Sequence, residues 1–113
     1  MKLLFIVLNK VEMLEALLET MTARGLRGAT VIDSKGMVRL LTENEDFPLF
    51  GSLRYLLDSD TDDNKTIFMV LSNEQAEIAK QTVRDILGDL SQPNTAIMFT
   101  LPVDDVEGIG AVE

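Results

Sequence analysis

The side chains best able to do chemistry in this chain are its carboxylates. Asp58-Ser59-Asp60-Thr61-Asp62-Asp63 places oxygen donors at alternate positions, as in the first half of a calcium loop. Such a loop needs glycine at its sixth position for the sharp turn and a bidentate glutamate at its twelfth. Here those positions are Asp63 and Met69. The run reads instead as a solvated acidic turn with weak attraction for divalent ions. Asp104, Asp105 and Glu107 form a second acidic group. Paired carboxylates do acid–base work when burial separates their pKa values. No nucleophile or apolar pocket is evident beside these three, so they read as exposed charge at the end of a strand. Lys35, Arg39 and Arg54 are the basic residues nearest the central loop. Arg39 could meet an anionic ligand across a subunit boundary; a solvated or ion-paired arginine is the plainer alternative.

What is missing narrows the chemistry further. The 113 residues include no histidine and no cysteine. That excludes thiolate and imidazole metal sites, a disulfide scaffold and any Ser-His or Cys-His nucleophile pair. An enzyme is therefore not expected. Nineteen acidic residues against ten basic ones give a net charge of −9. A nucleic-acid backbone would be repelled, and so would an anionic membrane surface. No apolar run is long enough to span a bilayer, and Leu3–Leu8 is too short for a signal segment. A cytoplasmic protein is the expectation. Hydrophobic residues make up 46% of the chain, enough for one ordinary domain with a real core.

These residues need elements to position them. Residues 2–8, KLLFIVL, read as a strand buried on both faces. Asn9 and Glu12 form a loose capping box for a helix over about 10–24, with Val11, Leu14, Leu17, Leu18 and Met21 at helical spacing and Gly25 as its stop. Residues 28–34, GATVIDS, read as a second strand, and Ser34-Lys35-Gly36 as a turn. Pro48 opens a short insert helix to about Leu57, apolar on more than one face through Phe47, Leu49, Phe50, Leu53, Leu56 and Leu57. The acidic loop 58–65 precedes a strand over Thr66–Leu71. Ser72 and Gln75 make a capping box for a helix whose stripe is Ala76, Ala79, Val83, Ile86 and Leu87, ending at Gly88. Thr95–Leu101 is the last strand, and Pro102 stops it.

The order β-α-β-insert-β-α-β predicts an α+β, ferredoxin-like βαββαβ sandwich with a short helical insert between strands 2 and 3. The first and third strands, the most continuously apolar, should be central. Period two then puts Leu3, Phe5 and Val7 on one face of the sheet and Leu4, Ile6 and Leu8 on the other. Helices in this fold cover one face only. Each large side chain left wet on the other forgoes about 1.5–3 kcal/mol of burial. Packing between copies of the chain is the economical cover, so a homo-oligomer is expected.

GLRGATVIDSKG, residues 25–36, is similar to the segment after the first helix of the P-II nitrogen-signalling proteins, and IMFTLPVDDVEGI, residues 97–109, resembles that family's closing strand and its Leu-Pro-Val-acidic-acidic-Val signature. The likeness extends over nearly the whole chain and is weakest in the central loop. It implies a homotrimer whose sheets pack around a three-fold axis and whose clefts between subunits hold a small effector, in the family ATP or ADP. It also implies a central segment, here about 37–57, that docks on a target protein. By the same resemblance Thr30 lies near an adenine, Gly36 at the loop base, and Arg39 at the nucleotide phosphates. The chain departs from the family at Val38, where the family has glycine. It departs again at Ile97, where a glycine-rich loop would end in a cation, and at Gly108 and Gly110, where two phosphate-holding arginines would stand. Each missing charge-assisted contact is worth about 1.5–3 kcal/mol, which disfavours ATP and leaves an adenine nucleotide with fewer phosphates, or an unrelated effector. The only tyrosine, Tyr55, is in the insert helix, so the loop tyrosine that some members nucleotidylate has no counterpart. Alternatives of other classes are a relative of the trimeric divalent-cation-tolerance proteins and a ligand-free interaction module. The element order also fits a dimeric α+β barrel with a hidden pocket, which would readmit an enzyme.

Overall fold

A computed structural model describes residues 1–37 and 63–108 of the chain. The predicted insert helix, Arg39, Arg54, most of the acidic turn, Tyr55 and Gly110 lie outside the described residues. Within them, β1 (Lys2–Leu8), α1 (Leu14–Ala23), β2 (Thr30–Ser34), β3 (Asn64–Leu71), α2 (Asn73–Leu87) and β4 (Ala96–Pro102) follow in chain order. The strands form one antiparallel sheet in the order β2-β3-β1-β4, with β1 and β3 central. Four antiparallel strands and two helices make an α+β arrangement compatible with the ferredoxin-like sandwich.

Register explains why the apolar strands sit in the middle. Leu4, Ile6 and Leu8 on β1 stand opposite Met69, Ile67 and Lys65 on β3. Leu4, Ile6, Leu8, Ile67, Met69 and Leu71 are all buried beneath the helices. Leu17, Met21 and Leu26 close the core from the α1 side, and Ala76, Ala79, Val83 and Leu87 from α2. Thr82 is buried too, and its hydroxyl donates to the Ile78 carbonyl at 2.8 Å, which satisfies it inside the core.

The helix ends divide into one that local sequence determines and one that it does not. At α2, Ser72 Oγ accepts from the Gln75 N–H at 3.1 Å and Gln75 Oε1 accepts from the Ser72 N–H at 3.2 Å. That is the reciprocal box the sequence predicts. At α1 the expected Asn9 box is absent. A 3-10 turn, Val11–Met13, precedes α1, and no side chain caps either start. The Asn9 side chain is drawn instead onto the sheet, where Asn64 Nδ2 donates to its Oδ1 at 3.4 Å. The backbone N–H groups of Asn9 and Lys10 both donate to the Thr95 carbonyl, at 3.0 and 3.1 Å, and this turns the chain toward the helix. Gly25, at φ +85, ends α1 as expected.

Strand boundaries shift by one or two residues. β2 begins at Thr30 rather than 28, because Gly28 takes a positive φ of 82° that no strand residue adopts. β3 begins at Asn64, so the end of the predicted acidic loop is already in the ladder, with Asn64 opposite Ser34 and Lys65 opposite Asp33. Pro102 is the last residue of β4 rather than the first beyond it. Its missing N–H is tolerated because β4 is an edge strand.

Candidate functional site

The face of the sheet turned away from the helices is built from alternate residues of all four strands. Register sets Ile97, Val7, Thr66 and Ile32 in one row across it. Phe99, Phe5, Phe68 and Thr30 form the next row, and Leu101, Leu3 and Val70 the third. Ile32, Ile97, Phe99 and Leu101 keep 44–60% of their surface exposed. The three rings form a continuous aromatic row. Phe5 stacks on Phe99 with centroids 5.2 Å apart and meets Phe68, tilted, at 5.8 Å. Every residue at these strand positions is uncharged. Charge appears on the other side of β2 and β3, where Asp33 and Lys65 pair.

At one end of this face the apolar rows give way to a polar relay. Ser34 Oγ donates to Asn64 Oδ1. A serine has one proton, so the contact of its oxygen with Thr66 Oγ1 at 2.8 Å is a bond donated by Thr66. Asn64 in turn donates to Asn9. Gly36 lies beside this group: a Cβ on it would stand 3.7 Å from Asn64 Nδ2, in ordinary contact. Thr30 is exposed on the same face, two rows along β2 from Ser34. Thr30 and Gly36 thus lie toward opposite ends of β2, Thr30 at its first residue on the outer face and Gly36 two residues beyond its last, beside Asn64. Arg39, the third expected effector residue, lies outside the described residues.

None of Asn9, Ser34, Asn64 and Thr66 is a candidate site residue by the sequence, which gives Asn9 to a helix cap and Ser34 to a turn. Their signal was present but faint. Asn9 continues the Leu3, Phe5, Val7 series, and Asn64 and Thr66 continue Phe68 and Val70 backward, all at period two. Polar residues ending an apolar alternation mark the rim of a face.

The side chains of the relay beside Gly36 are neutral hydroxyls and amides, with Lys35 and Asp63 adjoining it in the chain. Ile97, at the position where the resemblance calls for a cation, projects from the apolar row. Gly108 takes a φ of +89, and the neighbouring Asp104, Asp105 and Glu107 are exposed carboxylates.

Other charged groups hold the helices. Arg24 Nη1 bonds the Thr82 hydroxyl at 2.9 Å and pairs with Asp85 at 2.8 Å, which ties the end of α1 to α2. Hydrogen bonds from Gln81 and Arg24 hold the Asp85 carboxyl below its usual range. Asp89 is lowered by the hydroxyl and backbone N–H of Ser91, and Glu77 by Lys80. All three face solvent and act on the helical layer, not on the sheet face. Among the described residues no three acidic groups gather to hold a metal ion, and no helix is long and apolar enough to cross a membrane.

No protein-family description and no curated protein matches the sequence. Among solved structures, the chain is similar to a functionally unknown protein from Pediococcus pentosaceus ATCC 25745, with a TM-score of 0.63, 14% identity and 96% of each chain covered. At that identity the likeness is one of fold, and it extends over the whole domain.

Proposed function

We propose that this chain is a P-II-like regulatory subunit with no catalytic chemistry of its own. It assembles as a homotrimer through the outer sheet face. It takes a small effector in the clefts between copies, beside Thr30, Gly36 and Arg39, and acts on a partner protein through the 37–57 segment. Effector binding works by differential affinity for two arrangements of that segment.

The observation that carries the reading is the sheet face itself. Ile32, Ile97, Phe99 and Leu101 share this face and keep 44–60% of their surface exposed, and contiguous exposed apolar surface of this kind marks interaction sites. In a chain of net charge −9, this face has no charged side chain at its strand positions. Copies meeting through it therefore avoid the like-charge repulsion that the helical face would impose. The three-fold count and the role of 37–57 rest on the resemblance of residues 25–36 and 97–109.

Sedimentation velocity at micromolar concentration tests the assembly. A trimer is the expected species, and Phe99→Asp, which puts a carboxylate in the aromatic row, is expected to give monomer. A wild-type monomer would end the proposal.

A further inference from the structure

The two edges of the sheet carry as much information as its faces. The Asn9 N–H donates to the Thr95 carbonyl at 3.0 Å and the Val103 N–H to the Met1 carbonyl at 3.2 Å, which sets the phase of the β1–β4 ladder. In an antiparallel ladder, residues that exchange backbone bonds alternate with residues that do not. Ile97, Phe99 and Leu101 therefore bond β1, and Ala96, Met98 and Thr100 turn their backbone groups to the open edge. Carried across β1 and β3, the same alternation gives Thr30, Ile32 and Ser34 to β3 and turns Val31 and Asp33 outward at the far edge. No charge interrupts β4 from Ala96 to Leu101, and proline comes only at its last residue. An uncharged edge of this length is a template for another strand.

Both edges have the same phase relative to the two faces. Met98 and Thr100 stand opposite Ile6 and Leu4, and Val31 opposite Ile67, all on the helix side. Laying β2 of one copy antiparallel along β4 of another would therefore keep every helix on one side and join the outer faces into one. It would also match charge. The start of β2 would come to the end of β4, bringing exposed Arg27 to exposed Asp104 and Asp105. Among the described residues none of these three has an ion-pair partner in its own chain. At the other end Asp33 pairs with Lys65, and Lys35 and Asp63 adjoin them, against the uncharged Pro93-Asn94-Thr95 that leads into β4. Pairing β4 with a second β4 would leave both the acids and the β2 edge unmatched.

We propose that copies of this chain join edge to edge, β4 of one antiparallel to β2 of the next, with Val31 opposite Thr100 and Asp33 opposite Met98. The inference rests on the proposed assembly and deepens it. This register sets Ile32 beside Phe99, so exposed apolar side chains of the two edges cover one another. Because the two edges differ, the contact is head-to-tail, and a ring that closes leaves no edge unpaired. Backbone bonds and the apolar face supply the strength, and the charges at the Arg27 end set the direction.

The chain has no cysteine, so introduced thiols report the contact without interference. Oxidation of a Val31→Cys, Thr100→Cys double variant is expected to lock a covalent trimer on a non-reducing denaturing gel, since directly opposite residues lie within disulfide reach. Neither single variant is expected to cross-link. Dimers from Thr100→Cys alone would show β4 paired with β4 and overturn the inference. So would the absence of cross-links in a double variant that sediments as a trimer, and the proposed function would then stand. Thr100→Pro removes an N–H that the chain's own sheet does not use. It is expected to sediment as a monomer with the circular dichroism of the wild type, and a trimer would overturn the inference. A wild-type monomer would overturn the proposed function with it.

Discussion

Asp85 shows how one side chain can join two elements and set a pH response. Gln81 and Arg24 donate to its carboxylate, and Arg24 also bonds Thr82 on the same helix. These bonds favour the ionised form, so the folded pKa lies below the ordinary 3.8. Asp89 and Glu77 are lowered as well, from 3.8 and 4.5. A carboxyl with a depressed folded pKa contributes its stability above the unfolded value and loses it as pH falls through the folded one. Stability should therefore hold from neutral pH down to the ordinary carboxylate range and decline below it. Asp85→Asn should flatten part of that decline, as read by urea midpoints along a pH series. Phe5 acts at the same scale with a different physics. It touches a ring on each side, so Phe5→Ala should remove two aromatic contacts worth about 0.5–1.5 kcal/mol each and lower the urea midpoint accordingly.

The two helices differ in where their starts come from. Ser72 and Gln75 are three residues apart and meet whatever the rest of the chain does. Ser72→Ala should cost about 1 kcal/mol in chemical denaturation, with little effect on assembly. The start of α1 depends on β3 and β4 instead, through Asn64 on the Asn9 side chain and Thr95 on the backbone. Gly88 ends α2 at a φ of +76 with open space around its missing Cβ. Gly88→Ala should therefore cost the strain of a backbone at φ +76 and ψ −139, on the order of 1–3 kcal/mol, with no clash to add.

For the whole molecule, the unequal dressing of the sheet's two faces is decisive. Helices bury Leu4, Ile6 and Leu8 completely, while Phe99, Leu101 and Ile97 on the other face remain half-exposed. Folding and assembly should then be coupled. The thermal midpoint is expected to rise with protein concentration, since the oligomer binds the native state by mass action. It should resist added salt, since the proposed contact surface is uncharged. A midpoint independent of concentration would show that the face is not an intersubunit surface.

Local and periodic signals carried much of this structure in the sequence. The alternation of β1 and β3 determined which side chains share a face. Ser72–Gln75 determined the start of α2, and Gly25 and Gly88 the ends of both helices, because those signals act within a turn or a strand. The central place of β1 and β3 followed from their unbroken apolar runs, which only a strand with neighbours on both sides can use. The relay was decided by tertiary structure alone. Asn9 and Asn64 are 55 residues apart, and Asn9 reads locally as a helix cap. Only the pairing of β1 with β3, and of β3 with β2, sets Asn9, Asn64, Ser34 and Thr66 side by side, and an amide that can serve either a helix end or a sheet rim goes where the register delivers its partner.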